Sequence, residues 1–267
     1  MAVLEKRHGA LMYLAAEGIS TPHCFTTRKG GVSKGYLDSL NIGSCRGDDP
    51  ENVSKNFAIL GEAIGFSPEC LVLTKQTHSD IVLQVGKDHW GTGLTRPPFS
   101  QCDALISNEP GTALVSFTAD CTPVLLHDPV TGAVAAIHAG WRGTANAIVY
   151  KTVQAMVDAY GCQPENICAA IGPNIGQCCF QTDWDVPEAM LKVVGDRAWQ
   201  HIRKAEDKYY VNLKEINALL LADAGVRKIE ISTACTVCRP DLFWSHRVRG
   251  SDRGAQGAII VCKGVES

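Results

Sequence analysis

Residues Thr118 to Asn146 constrain this chain more than any other stretch. Val124-Leu-Leu126 and Ala133 to Ile137 are short apolar runs, and Asp128-Pro-Val-Thr-Gly132 between them carries hairpin-turn chemistry. The spacing therefore predicts two antiparallel strands. Cys121 stands just before the first strand and His138 just after the second, so pairing brings both side chains to one end of the hairpin. Gly140-Trp-Arg-Gly143 follows as the mouth of a helix, where backbone N–H groups lack partners. A thiol and an imidazole meeting beside a helix start read as a site, and not only as core.

Composition narrows the classes. A chain of 267 residues, 45% apolar and 20% charged, can enclose a sizeable core in the ordinary globular manner. A net charge of -3 gives no general pull toward nucleic acid or anionic membrane, so neither is an expected partner and any anion site has to be local. No apolar run approaches the roughly 20 residues that span a bilayer. Ala10 to Ala16, behind Lys6 and Arg7, is short and stopped by Glu17, so a signal peptide is not expected. A cytoplasmic location is expected, with the 12 cysteines reduced and most of them acting as small buried hydrophobes.

The rest of the chain alternates strand and helix signals. Cys24 to Ser33 reads as a strand running into a glycine turn, with Arg28 beside it as a fork for phosphate or carboxylate or as a solvated side chain. Asp48-Asp-Pro-Glu51 is a strong helix start, the apolar face is Val53, Phe57, Leu60 and Ile64, and Gly65 is the stop. His78 lies in a polar break between apolar runs beginning at Leu71 and Ile81, and Lys87 to Gln101 reads as a surface loop. Cys102 to Ser107 and Ala113 to Phe117 are further strands. Thr144 to Tyr160 reads as one amphipathic helix closed by Gly161. Ile167 to Pro173 is a buried strand, Glu188 to Val194 and Leu213 to Ala224 are helices, and Lys228 to Ser232 and Gly257 to Cys262 are strands. With no repeat and no linker, one α/β domain over residues 1–267 is expected.

Three residues beside apolar-run ends, His78, Cys121 and His138, form a set of nitrogen and sulfur donors. Three such ligands suit zinc and leave a fourth tetrahedral position open, the catalytic arrangement. Cys235-x2-Cys238 is a competing half-site, but no clearly spaced second pair accompanies it. Cys178 and Cys179 are adjacent and poorly placed to chelate, so packed thiols are the default there. Arg142 is placed to grip an anion at the helix mouth, or to sit in solvent. Phe243 and Trp244, ahead of Ser245-His-Arg247, offer a stacking surface for a base.

Several of these segments together resemble one family. Phe25-Thr-Thr-Arg-x-Gly-Gly-Val-Ser33, Ser39-Leu-Asn-x-Gly43, Lys75-Gln-x-His78, Asp103-Ala-Leu-Ile106, Ala119-Asp-Cys121, His138-Ala-Gly-Trp-Arg-Gly143, Ile171-Gly-Pro173 and Ser245-His-Arg247 look like the YfiH family. It is also called the polyphenol oxidase or laccase-domain family, and the match runs in order along almost the whole chain. The resemblance implies a single-domain, mixed-sheet layered α/β fold similar to the cytotoxic necrotizing factor catalytic domain. It also implies a zinc held by His78, Cys121 and His138, and purine nucleoside phosphorylase activity on adenosine, inosine and methylthioadenosine. Adenosine deaminase activity is implied at the same site, and some bacterial members are linked to peptidoglycan editing. The segment His246-Arg-Val-Arg249 departs from the arginine-then-acidic pair more usual in the family.

On that reading the partners are a nucleoside and phosphate, and the chain acts as a monomer or weak dimer. Arg142, with Arg28, assists phosphate. Asp120 orients groups or handles a proton, or is a buried hydrogen-bonded carboxylate. Asn41 holds a ribose hydroxyl, or bonds its own turn. Gln76 and His246 complete the set of substrate contacts. The rivals are a cysteine hydrolase or amidase acting on cell-wall fragments with Cys121 as nucleophile and His138 as base, a copper oxidase of phenols, and a module that binds nucleoside without turning it over. Copper is less expected than zinc, since dense His-x-His sets are missing.

Overall fold

The computed structural model describes residues 2–264. In chain order its elements are β1 (Val3–His8), β2 (Leu11–Ala16), β3 (His23–Thr26), α1 (Pro50–Ile64), β4 (Leu71–Leu73), β5 (Val82–Gln84), β6 (Ala104–Ser107), β7 (Ala113–Thr118), β8 (Thr122–His127), β9 (Val134–Ala139), α2 (Trp141–Ala145) and α3 (Ile148–Tyr160). There follow β10 (Cys168–Ile171), β11 (Gln181–Thr182), α4 (Asp185–Val194), β12 (Ile202–Ala205), β13 (Lys208–Val211), α5 (Leu213–Asp223), β14 (Lys228–Ile231), α6 (His246–Arg249) and β15 (Gln256–Val261).

Two six-stranded mixed sheets are stacked face to face. One has the order β1-β2-β3-β15-β7-β4, the other β14-β10-β8-β9-β6-β5, and β11-β13-β12 forms a small third sheet. Pairing is antiparallel except for β4 with β7, β5 with β6 and β10 with β14. The strands in the middle are apolar on both faces because both faces are covered. Leu125 and Ala136 point into the layer between the sheets with Phe25, Leu114 and Ala258. Val124, Leu126 and Ile137 point the other way, onto Val153 and Met156 of α3 and Ile216 of α5. On the far side of the first sheet, Val115 and Ile259 pack on Val53, Phe57 and Leu60 of α1. The result is a helix, sheet, sheet, helix sandwich, the mixed α/β layering expected.

Helix α1 forms where its start signals lie. The Asp49 carboxylate accepts from the Glu51 N–H, Pro50 occupies the first turn, and Gly65 closes the helix at φ 96° by donating to the Gly61 carbonyl. The apolar run Ala10 to Ala16 belongs to the hairpin β1–β2. Other expectations are corrected. The expected helix from Thr144 is two helices, because Asn146 and Ala147, at φ 57°, break it, and the first begins at Trp141. Strand β9 continues to Ala139, so His138 lies inside it with Pro123 opposite and Ala139 opposite Thr122. Cys121 and Gly140 thus leave the same end of the β8–β9 pair. The loop Lys75–Asp80, between β4 and β5, meets them there. Among the described residues no helix is long and apolar enough to cross a membrane.

Candidate metal centre

One donor atom each from His78, Cys121 and His138 lies within 4.8 Å of the other two. The two imidazoles meet edge to face, with ring centroids 5.0 Å apart. A buried carboxylate that the sequence reading left without a role holds both. Asp103, at the start of β6, accepts from His138 Nδ1 at 2.7 Å and from the His78 N–H at 3.1 Å through Oδ1. Its Oδ2 accepts from the Thr77 N–H at 3.0 Å and from the Ser79 N–H and hydroxyl at 2.8 and 2.7 Å. These bonds fold the 77–79 loop around one carboxylate, and His78 takes a left-handed φ of 60°. That conformation costs a non-glycine residue on the order of 1 kcal/mol and persists only where neighbours enforce it. Asp120, beside Cys121, has a φ of 87°.

The electrostatics favour a cation. Burial would lower the His138 pKa, but the Cys121 sulfur and the Asp103 carboxylate outweigh it and push it up to about 9. Burial, His138 and Arg142 all lower the pKa of His78 against the pull of Asp103, which keeps that ring neutral and able to donate a lone pair. With Nδ1 of His138 fixed by Asp103, its other nitrogen, Nε2, is left to face the Cys121 sulfur, the carboxylate–histidine arrangement seen behind metal ligands. Space is reserved too: a Cβ on Gly140 would lie 2.6 Å from His78 Nδ1 and 3.4 Å from Cys121 Sγ. Two imidazoles and a thiol around an uncrowded point suit a borderline-soft divalent ion such as zinc.

The centre floors a cleft of about 170 Å³ whose walls include Phe117, Gln76, Arg46 and Arg253. Past Gln76 and Phe117 it adjoins a larger cavity of about 390 Å³ under Leu73, Pro98 and the 43–46 loop. On the other side of Cys121, Trp141, Ile175, Phe180, His246 and Arg247 line a third space of about 150 Å³. The sequence carries no separate signal for Arg46, and Arg253 reads there, with Arg247 and Arg249, as a basic group or a solvated face. Burial and the nearby Arg46 pull the Arg253 pKa down to about 10 against Asp120 and Cys121. A half-buried guanidinium with a second one beside it marks a place for an anion.

The remaining candidates sit as follows. Gln76 lines the cleft, but its amide is engaged: Oε1 accepts from the Phe117 N–H and the Thr74 hydroxyl, and Nε2 donates to the Phe117 carbonyl. Asp120 accepts from the Thr236 hydroxyl, the Ser245 hydroxyl and the Arg247 N–H, tying the tail to the Cys121 corner. Arg142 is exposed, with its guanidinium over the Trp141 ring at 4.2 Å. His246 is exposed at the rim of the third space and bonds the Gly250 carbonyl. Arg28 and Asn41 are not brought to the centre. Arg28 stacks on Trp244 at 3.8 Å and donates to the Asp38 and Pro240 carbonyls. Asn41 is fully buried, accepting from the Gly43 and Ala255 N–H groups and donating to Asp48. A signal for Arg253 existed in the basic run after Trp244, and Asp103 stood in the family-like segment Asp103-Ala-Leu-Ile106.

Residues 22–263 match the family model described as multi-copper polyphenol oxidoreductase laccase. The chain belongs to this laccase-like, YfiH family. A purine nucleoside phosphorylase of Bacteroides thetaiotaomicron is 38% identical over 237 residues, 87% of this chain and 88% of that protein. The purine nucleoside phosphorylase YfiH of Escherichia coli K12 is 37% identical over 239 residues, 89% and 92% of the two chains. The crystal structure of YlmD from Geobacillus stearothermophilus superposes with a TM-score of 0.90 at 33% identity, covering 99% of this chain and 100% of that one. The family fold is therefore the sandwich described above.

Proposed function

We propose that this protein is a zinc-dependent purine nucleoside phosphorylase that also deaminates adenosine at the same centre. The observation that carries the reading is the pairing of Arg46 and Arg253 in the cleft floored by His78, Cys121 and His138. An anion site beside a candidate metal centre, opening onto a cavity within the roughly 300–1,000 Å³ range of ligand sites, suits phosphate plus a nucleoside. Relatives that share most of their length with this chain carry the phosphorylase name.

In phosphorolysis a phosphate oxygen bonds to the anomeric carbon while the N-glycosidic bond breaks. The electron pair of that bond goes to the purine nitrogen, which takes up a proton. The chain's part is to bring an anion against an electron-poor sugar, and Arg46 and Arg253 do this from one wall. Phe117 offers a flat apolar wall toward the base. Asp103 holds His138 and the His78 loop in place, so His78, Cys121 and His138 would hold the ion. A bound zinc supplies Lewis acidity to either reaction. The copper-oxidase reading fits the donors less well: histidine contributes to one such cluster among the described residues, whereas multi-copper chemistry needs several. All 12 cysteines are free thiols, in keeping with a reducing compartment such as the cytoplasm.

The test is to incubate the zinc-loaded protein with adenosine, with and without phosphate, and to separate the products by chromatography. Adenine and ribose 1-phosphate are expected with phosphate, and inosine in both cases. Cys121→Ala removes all three products. Arg253→Ala raises the phosphate KM by roughly 10- to 100-fold, the worth of one charged hydrogen bond, and leaves inosine formation standing. Absence of adenine, ribose 1-phosphate and inosine alike ends the proposal, and a covalent substrate adduct on Cys121 would turn it toward a cysteine hydrolase.

A further inference from the structure

A second group of donors lies outside the cleft. Cys178 and Cys179, in the loop after β10, face Cys235 and Cys238, in the loop after β14, and all four Sγ atoms lie within 4.8 Å of one another. Cys238 Sγ is 3.6 Å from Cys178 Sγ and 3.5 Å from Cys179 Sγ. A disulfide needs about 2.05 Å. Four sulfurs at about 2.3 Å from one tetrahedral ion stand roughly 3.8 Å apart along each edge, which these separations approach. A cubane iron–sulfur cluster would spread its thiolates over four irons and hold them further apart.

The backbone sets this spacing. Asn174 and Cys235 form a parallel bridge, in which the Thr236 N–H donates to the Asn174 carbonyl at 2.9 Å. The Gly176 N–H points at Cys235 Sγ from 3.2 Å, a bond that favours the thiolate. Gly176 also leaves the room the sulfurs need: a Cβ there would stand 3.2 Å from Cys178 Sγ and 3.5 Å from Cys235 Sγ.

A separate observation concerns charge. Lys214, at the start of α5, is 6% exposed, and its ammonium donates to the carbonyls of Ser232 and Ala234 with no carboxylate in an ion pair among the described residues. Burial pulls its pKa down to about 8, against the Cys235 and Cys178 sulfurs and Glu215, which favour the charged form. Arg247 adds a second cation, donating to the Cys179 carbonyl at 3.1 Å. One zinc with four thiolates carries a net charge of about -2, and these two cations flank it.

We propose that Cys178, Cys179, Cys235 and Cys238 form a structural zinc site with four thiolate ligands, separate from the centre at Cys121. Binding forms four Zn–S bonds and releases the thiol protons to solvent. The ion joins two loops 56 or more positions apart and fixes the rim on which Arg247 rests. This assignment stands independently of the proposed reaction.

Cobalt reports on it without reference to activity. The full chain is stripped with chelator under reducing conditions and reloaded with zinc or cobalt(II), in wild type, Cys121→Ala and Cys178→Ser/Cys238→Ser forms. Cys178 and Cys238 are both exposed, so the double variant spares the core. The near-ultraviolet sulfur-to-cobalt band scales with the number of thiolates. It is expected to persist at near wild-type strength in Cys121→Ala and to fall to a small fraction in the double variant. The double variant should also bind one zinc fewer per chain than wild type and show a smaller drop in melting temperature on adding chelator than wild type does. Equal zinc content in wild type and double variant overturns the site, as does a disulfide joining Cys238 to Cys178 or Cys179 in reduced, zinc-loaded protein. Failure of the Cys121 centre shows differently, as unchanged metal content in Cys121→Ala.

Discussion

At the scale of single residues, Asp103 governs the candidate centre because one carboxylate bonds both histidine-bearing segments. Burial would raise its pKa, but the bonds from His138, Ser79 and the Thr77 N–H outweigh that and hold it at about 2. A carboxyl whose folded pKa lies below its unfolded value adds stability above the unfolded pKa and loses it as pH falls through the folded one. Asp103→Asn should therefore lower stability at pH 7 by about 1–3 kcal/mol. The gap from wild type should close as pH falls from about 4 toward about 2, followed by denaturant titration at each pH. Metal affinity should fall roughly 10- to 100-fold in the same variant, read by competition with a chromophoric chelator. Asp103 was hard to recognise in the sequence because its importance comes from what folds onto it: Thr77, His78 and Ser79 lie 24 to 26 positions away and His138 lies 35 away. Arg28 and Asn41 misled for the opposite reason. Each has functional chemistry in its side chain, and each spends it on its own fold.

At the scale of elements, those are legible in which several local signals agree. Helix α1 carries a capping aspartate, a first-turn proline, an apolar face at helical spacing and a terminal glycine, and every one of them is used. Asp49→Ala should cost about 1 kcal/mol through loss of the cap while leaving metal binding unchanged, since Asp49 lines none of the three cavities; chemical denaturation and zinc titration check the two halves. The break between α2 and α3 had no such signal, because an alanine, not a glycine, takes the left-handed conformation at Ala147. The hairpin of β12 and β13 was equally silent. Its turn places Glu206 at φ 55°, and β11, which completes that sheet, is two residues long. The grouping of Cys178 and Cys179 with Cys235 and Cys238 escaped the sequence reading because spacing along the chain says nothing about two loops that a parallel strand pair, β10 with β14, brings together.

At the scale of the whole molecule, the two stacked sheets share the layer between them, and we expect them to unfold together. Leu125 is fully buried there, on a strand whose neighbours come from both sides of the sandwich. Leu125→Ala should destabilise by about 2–5 kcal/mol, with circular dichroism and tryptophan fluorescence reporting a single shared transition. The layered α/β class was legible because the central strands carry apolar residues on both faces and the flanking helices are apolar on one side only. The assignment of strands to two sheets was not legible, since continuous apolar runs such as Val124 to Leu126 do not say which neighbour covers which face.

The carboxylate of Asp120 takes bonds from Thr236, Ser245 and Arg247, and Thr236 sits between Cys235 and Cys238 while Asp120 adjoins Cys121. Two thiol-bearing corners are thus separated by one hydroxyl and one carboxylate. An oxidant that reaches only the outer sulfurs would slacken that link, and the inner centre would register the damage without having met the oxidant itself.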